Sequence, residues 1–136
     1  MMKIAFLLAL ALLLGGCATT ARWQAAANQS ALQETAQRLA EMVKTGRLTK
    51  TQAADRLNRE RLALAGPQPM DDAVFAFYRQ LAVQRDRGAI TNAQARFQMQ
   101  RELLAVRKRY RQRNAPPAQP PIFTNFMMSL YGLPPL

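Results

Sequence analysis

The chain of 136 residues has no histidine, a single cysteine and only eight carboxylates. Without histidine there is no Ser-His-Asp relay, no imidazole to activate a thiol and no Cys/His zinc set. One cysteine forms no intrachain disulfide, so packing rather than covalent staples must hold the fold. The carboxylates are dispersed, and none form a pair that reads as general acid and base. Catalysis, a metal site and a resident cofactor are therefore not expected. Negative charge is scarce beside 19 Lys and Arg, which leave a net charge of +11. A surplus of this size bears on solubility and partner choice rather than on fold.

What the chain does have begins at its start. Lys3 precedes an apolar run, Ile4–Leu14, which ends in Leu14-Gly15-Gly16-Cys17. A short basic start, an apolar run and small residues form the pattern of a secretory signal. The run falls far short of the ~20 apolar residues that a membrane span needs. An ordinary signal peptide with a coincidental cysteine is the other reading. Leu14, Gly15, Gly16 and Cys17 resemble the lipobox of bacterial lipoproteins, in which the cysteine is lipidated and becomes the mature N-terminus. The resemblance implies a cleaved signal over residues 1–16 and a diacylglyceryl or acyl anchor on Cys17. In that family an aspartate after the cysteine holds the protein at the inner membrane. Ala18 occupies this place, which implies the periplasmic face of the outer membrane. The mature chain would carry 18 basic against 8 acidic residues, a net charge of +10.

Residues 17–24 read as a small, polar tether, and helical periodicity begins at Ala25. Leu32, Ala36, Leu39 and Val43 then recur at helical spacings. Gly46 stops this helix, and Thr49 with Gln52 forms a T-x-x-Q capping box that opens the next. The short connection folds the two helices back on one another, giving a first hairpin over residues 25–65. Ala65-Gly66-Pro67-Gln68-Pro69 is a linker. Asp71 and Asp72 supply the next N-cap and negative charge at its first turn. The third helix shows an apolar stripe of Val74, Phe77, Tyr78, Leu81 and Ala82. The fourth shows Ala95, Met99, Leu103, Val106 and Tyr110, widened by Phe97 and Leu104. Together they form a second hairpin over residues 70–114.

The second hairpin repeats the first at an offset of 42 residues. Leu39-Ala40, Gly46, Thr49, Gln52-Ala53, Arg59-Glu60 and Leu62-Ala63 align with Leu81-Ala82, Gly88, Thr91, Gln94-Ala95, Arg101-Glu102 and Leu104-Ala105. The matches fall on core positions and turn signals, so they specify the same hairpin twice. Gly88-Ala89-Ile90-Thr91 with Leu103-Leu104, and Gly46-Arg47-Leu48-Thr49 as a second copy, resemble the short bacterial helical hairpin known as SHOCT. That resemblance implies a small interaction module. The chain departs from it after the threonine, where Asn92, Ala93, Gln94 and Ala95 replace the family's usual acidic residues and phenylalanine.

Beyond Asn114 the composition changes. Ala115-Pro116-Pro117-Ala118-Gln119-Pro120-Pro121 reads as an extended polyproline-type spacer, and residues 122–136 are uncharged and largely apolar. Such a tail either packs back across the hairpins or docks on a partner or membrane, through Ile122, Phe123, Phe126, Met127, Leu130 and Tyr131. The predicted fold is all-α: two tandem antiparallel hairpins with an extended, Pro-rich C-terminal tail.

Arg107-Lys108-Arg109-Tyr110-Arg111-Gln112-Arg113 places five cations in seven residues. Arg107 and Arg111 share a helix face, while Lys108, Arg109 and Arg113 point elsewhere. Cations at a helix C-terminus complement its dipole by ~0.3–1 kcal/mol, and they also attract anionic surfaces by ~1 kcal/mol each. In an envelope compartment the available anions are lipid A phosphates, lipopolysaccharide and anionic head groups. Envelope proteins are the other partner class for a small interaction module. A cytosolic basic protein with a misread leader would instead bind nucleic acid, and a membrane-active, lysis-type lipoprotein would act through the basic run and the apolar tail. Oligomeric state is left open.

Overall fold

The computed structural model describes the backbone from residue 2 to residue 136 and the side chains from residue 20 onward. Among the described residues five helices account for the regular structure: α1 (Met2–Lys44), α2 (Lys50–Ala65), α3 (Pro69–Asp86), α4 (Asn92–Arg111) and α5 (Ile122–Leu130). No strand occurs among the described residues, so the all-α class holds.

The two hairpin turns are the same structure made twice. Gly46 and Gly88 adopt φ of +74° and +69°, the left-handed conformation that glycine tolerates without a Cβ clash. Gly46 N–H donates to the Val43 carbonyl at 3.0 Å and Arg47 N–H to that of Met42 at 2.8 Å. Their counterparts, Gly88 to Arg85 and Ala89 to Gln84, span 3.1 and 2.9 Å. Each turn feeds a reciprocal capping box. Gln52 N–H donates to Thr49 Oγ1 at 3.1 Å while Thr49 N–H donates to Gln52 Oε1 at 3.0 Å. For Thr91 and Gln94 the distances are 3.1 and 2.8 Å.

Each of the first four helices packs on the next, whereas among the described residues α1 and α3 do not pack directly on one another. The space between them is filled by α5, which touches all four other helices. Of the two outcomes open to the apolar tail, packing back across the hairpins is the one found: Ile122 to Met128 are all buried, and Phe123, Thr124 and Met128 are fully inaccessible. The physical reason lies in the sequence itself, since a helix of only nine residues, six of them apolar, is stable only when packed against other elements. The Pro-rich segment before it stays non-helical and mostly exposed, and serves as the strap that returns the chain to the core.

Phe123 stands at the centre. Its ring meets Phe75 edge-on at 5.7 Å, Tyr78 at 5.9 Å and Phe126 at 6.3 Å, and Leu32, Val74, Met99 and Leu103 complete the buried layer. Three expectations change here. Phe75, not Phe77, is the buried phenylalanine of α3, turned inward by Phe123, while Phe77 is only partly covered. Phe97 and Leu104 stay exposed, at 60% and 46%, because α4 is an outer helix with one packed face. Residues 17–24 form no separate tether, since α1 runs through them without a break.

Arg61 fastens α2 to α3. Its side chain is buried, donates to Asp72 Oδ1 at 2.8 Å and to Asn58, and lies over the Phe75 ring at 5.8 Å.

Candidate functional site

The first feature that positions a site is the way α5 is held. Its N-cap residue, Pro121, has no side chain to cap the free N–H groups of the first turn. Asp71 of α3 does this from another helix. Phe123 N–H donates to Asp71 Oδ2 at 3.1 Å, and Thr124 donates to Oδ1 through its N–H at 2.8 Å and its hydroxyl at 2.7 Å. The sequence pattern predicts Asp71 as a cap of its own helix. That role falls to Gln68, whose Oε1 accepts from Asp71 N–H at 2.7 Å. Asp71 is 2% exposed, and burial pushes its carboxyl above the ordinary carboxylate value, against the opposing pull of the Thr124 and Phe123 donors and the charge of Arg61. At its other end the segment is closed by Asn125, whose Oδ1 accepts from Leu136 N–H at 2.8 Å.

The tail residues expected to meet a partner divide accordingly. Ile122, Phe123, Phe126 and Met127 are 0–3% exposed and belong to the core. Leu130 is 54% exposed, and Tyr131 is half-buried. Both line a half-open groove of about 520 Å³ where α1, α2, α3 and α5 converge. Leu39, Val43, Leu57, Phe126 and Met127 give the groove an apolar floor. Around it stand Lys44, Lys50, Arg85 and Arg96, and no carboxylate lines it. Asn92 Oδ1 accepts two bonds from the Arg85 guanidinium, at 3.0 and 2.7 Å, and Arg96 lies 5.3 Å from the Tyr131 ring centre. Burial raises the Tyr131 phenol above its ordinary value, opposed by Arg96 and Arg85, so its hydroxyl stays neutral.

These four cations were not singled out from the sequence. Lys44 and Lys50 flank the first turn and Arg85 precedes the second, so each reads as an ordinary helix-end charge until α5 is in place to join them.

The basic run forms a second, shallower site. Arg109 and Arg113, with Tyr110, border a cleft of about 320 Å³ against Pro69, Met70 and Ala73 at the start of α3. Arg109 is partly committed, since its Nη2 donates to Glu102 at 2.9 Å. Lys108, Arg111 and Arg113 are exposed and Arg107 is half-buried. The run is thus dispersed around the end of α4, with only Arg109 and Arg113 sharing the cleft.

Cys17 and the leader side chains lie outside the described residues. Among the described residues no helix is long and apolar enough to cross a membrane, and no group of His, Cys, Asp or Glu is placed to hold a metal ion. Compared with protein-family models, curated proteins and solved structures, the chain matches none.

Proposed function

We propose that this protein is a lipid-anchored envelope lipoprotein whose helical bundle is a non-enzymatic binding module for anionic envelope surfaces. The anchor rests on Leu14-Gly15-Gly16-Cys17 at the end of an apolar run, and its address would be the periplasmic face of the outer membrane. Trp23, six residues after Cys17 and 76% exposed, suits a position at head-group level.

One observation carries the binding role: six of the eight carboxylates are engaged as helix caps or ion-pair partners, while most of the arginines face outward. Asp71 caps α5, and Asp86 caps α2 by accepting from Lys50 and Thr51 N–H at 3.0 and 2.8 Å. Asp55, Asp72, Glu41 and Glu102 each pair with a cation. Most of the positive charge is left to face solvent, and the end of α4 is its densest part. An anionic surface attracts such a patch by ~1 kcal/mol per residue near it. A membrane-active role finds less support, because the apolar segment it would use is already buried.

The test is vesicle flotation of residues 18–136, which lack the signal and the acylated Cys17, with zwitterionic and with anionic lipid. Binding should need anionic lipid, fall with salt, and weaken with Arg107→Glu, Arg111→Glu and Arg113→Glu combined. Equal binding to both vesicle types, or no effect of the triple substitution, would remove the charge-based role.

A further inference from the structure

The groove between α1, α2, α3 and α5, with Arg96 reaching in from α4, combines a largely apolar floor, bordered by Gln33, Gln37 and Tyr78, with a rim charged with one sign only. Leu39, Val43, Leu57 and Met127 give nothing for a polar ligand to bond. Lys44, Lys50, Arg85 and Arg96 would repel a cation and hold an anion. Two carboxylates act on this rim from outside the groove lining: Glu41 pairs with Lys44 at 3.9 Å, and Asp86 interacts with Lys50. Arg85 and Arg96 form no ion pair among the described residues and carry most of the rim's uncompensated charge. Asn92 already fixes the Arg85 guanidinium, so less side-chain freedom is lost when it meets an anion. Leu130 stays exposed at the edge of the floor, where a folded protein gains by covering it.

We infer that this groove is a binding site for a single-chain anionic lipid, a long-chain fatty carboxylate, with its alkyl chain on the aliphatic floor and its carboxylate at the Lys44, Lys50, Arg85 and Arg96 rim. Its volume of about 520 Å³ lies within the ~300–1,000 Å³ of small-molecule sites. The charge complementarity selects an acid over an alcohol. The site is separate from the basic end of α4, and it deepens the anionic-envelope reading by giving the bundle one defined lipid ligand.

The test is photolabelling of the full chain as isolated from cells, in phosphatidylcholine nanodiscs if it is membrane-bound and in buffer if it is not. The probes are a diazirine-bearing palmitic acid and the corresponding neutral alcohol. The acid should label peptides covering residues 36–43 and 126–131. Ala40→Trp fills the groove from an exposed position and should cut labelling about tenfold, and Gln37→Trp, also exposed, repeats the test on a second side chain. Lys44→Glu with Arg96→Glu should weaken labelling by the acid about tenfold and leave the alcohol unchanged. Label scattered over the surface, label unaffected by either tryptophan, or equal labelling by acid and alcohol would overturn the assignment. Because the probe reports on the isolated chain, a negative result here leaves the Cys17 anchor standing, and an absent anchor leaves this result readable.

Discussion

Thr124 and Asp71, 53 residues apart in the chain, meet at 2.7 Å between hydroxyl and carboxylate, and through this contact α3 caps the helix that fills the bundle. A proline at the helix start cannot cap, so the carboxylate comes from a neighbour. Thr124→Val keeps the shape and loses one hydrogen bond, which should cost about 1 kcal/mol. Asp71→Ala strips all three bonds from buried donors and should cost about 2–4 kcal/mol. Urea denaturation of both single variants and the double variant checks this: the double should cost less than the sum of the singles. Strict additivity would mean the two groups do not act as one cap.

The two trans-capping aspartates should respond to pH with opposite sign. Burial raises Asp71 above 3.8, so the folded protein holds that proton more tightly than the unfolded chain. Its contribution is full below 3.8 and is lost as pH rises through the folded value. For Asp86 burial also pushes upward, but the Thr51 hydroxyl and N–H, the Lys50 N–H and the Lys50 charge outweigh it and leave the carboxyl lowered. Its contribution is present above 3.8 and is lost as pH falls through the folded value. Urea midpoints measured on both sides of 3.8 should lose their slope above it in Asp71→Asn and below it in Asp86→Asn. The reverse assignment would refute both.

The C-terminal helix should behave as core rather than as an appendage. Phe123→Ala removes a fully buried ring that touches Phe75, Tyr78 and Phe126, and should cost about 3–5 kcal/mol. That is a large share of the ~5–15 kcal/mol that holds a domain. Ending the chain after Gln119 should abolish cooperative thermal unfolding and expose the inner faces of α1 and α3 to a hydrophobic dye. A truncated chain with an unchanged transition would contradict the architecture.

The parts of this fold legible in the sequence were the local ones. Gly46 and Gly88, and the Thr49 and Thr91 boxes, act within a few residues, so their spacing specifies both turns. The helical stripes likewise marked Leu32, Val74, Met99 and Leu103 as core. What was not legible depends on contacts across the chain. Periodicity predicts that Asp71 opens a helix, but only the approach of Phe123 and Thr124 reveals that it caps another one. Asn125 and Ser129 share one side of the 122–130 helix, yet Asn125 is buried against Leu136, a contact that periodicity does not reveal. The same holds for Lys44, Lys50, Arg85 and Arg96, which become one rim only after α5 brings Leu130 and Tyr131 between them.

The most direct test of the account is incorporation of labelled palmitate into the protein in cells, with membrane fractionation, for the wild type and Cys17→Ser. A lipid-anchored envelope protein predicts label in an outer-membrane fraction for the wild type and its loss in Cys17→Ser. An unlabelled, full-length protein in the cytosol would contradict it and would make nucleic acid the natural partner for the surplus of arginine.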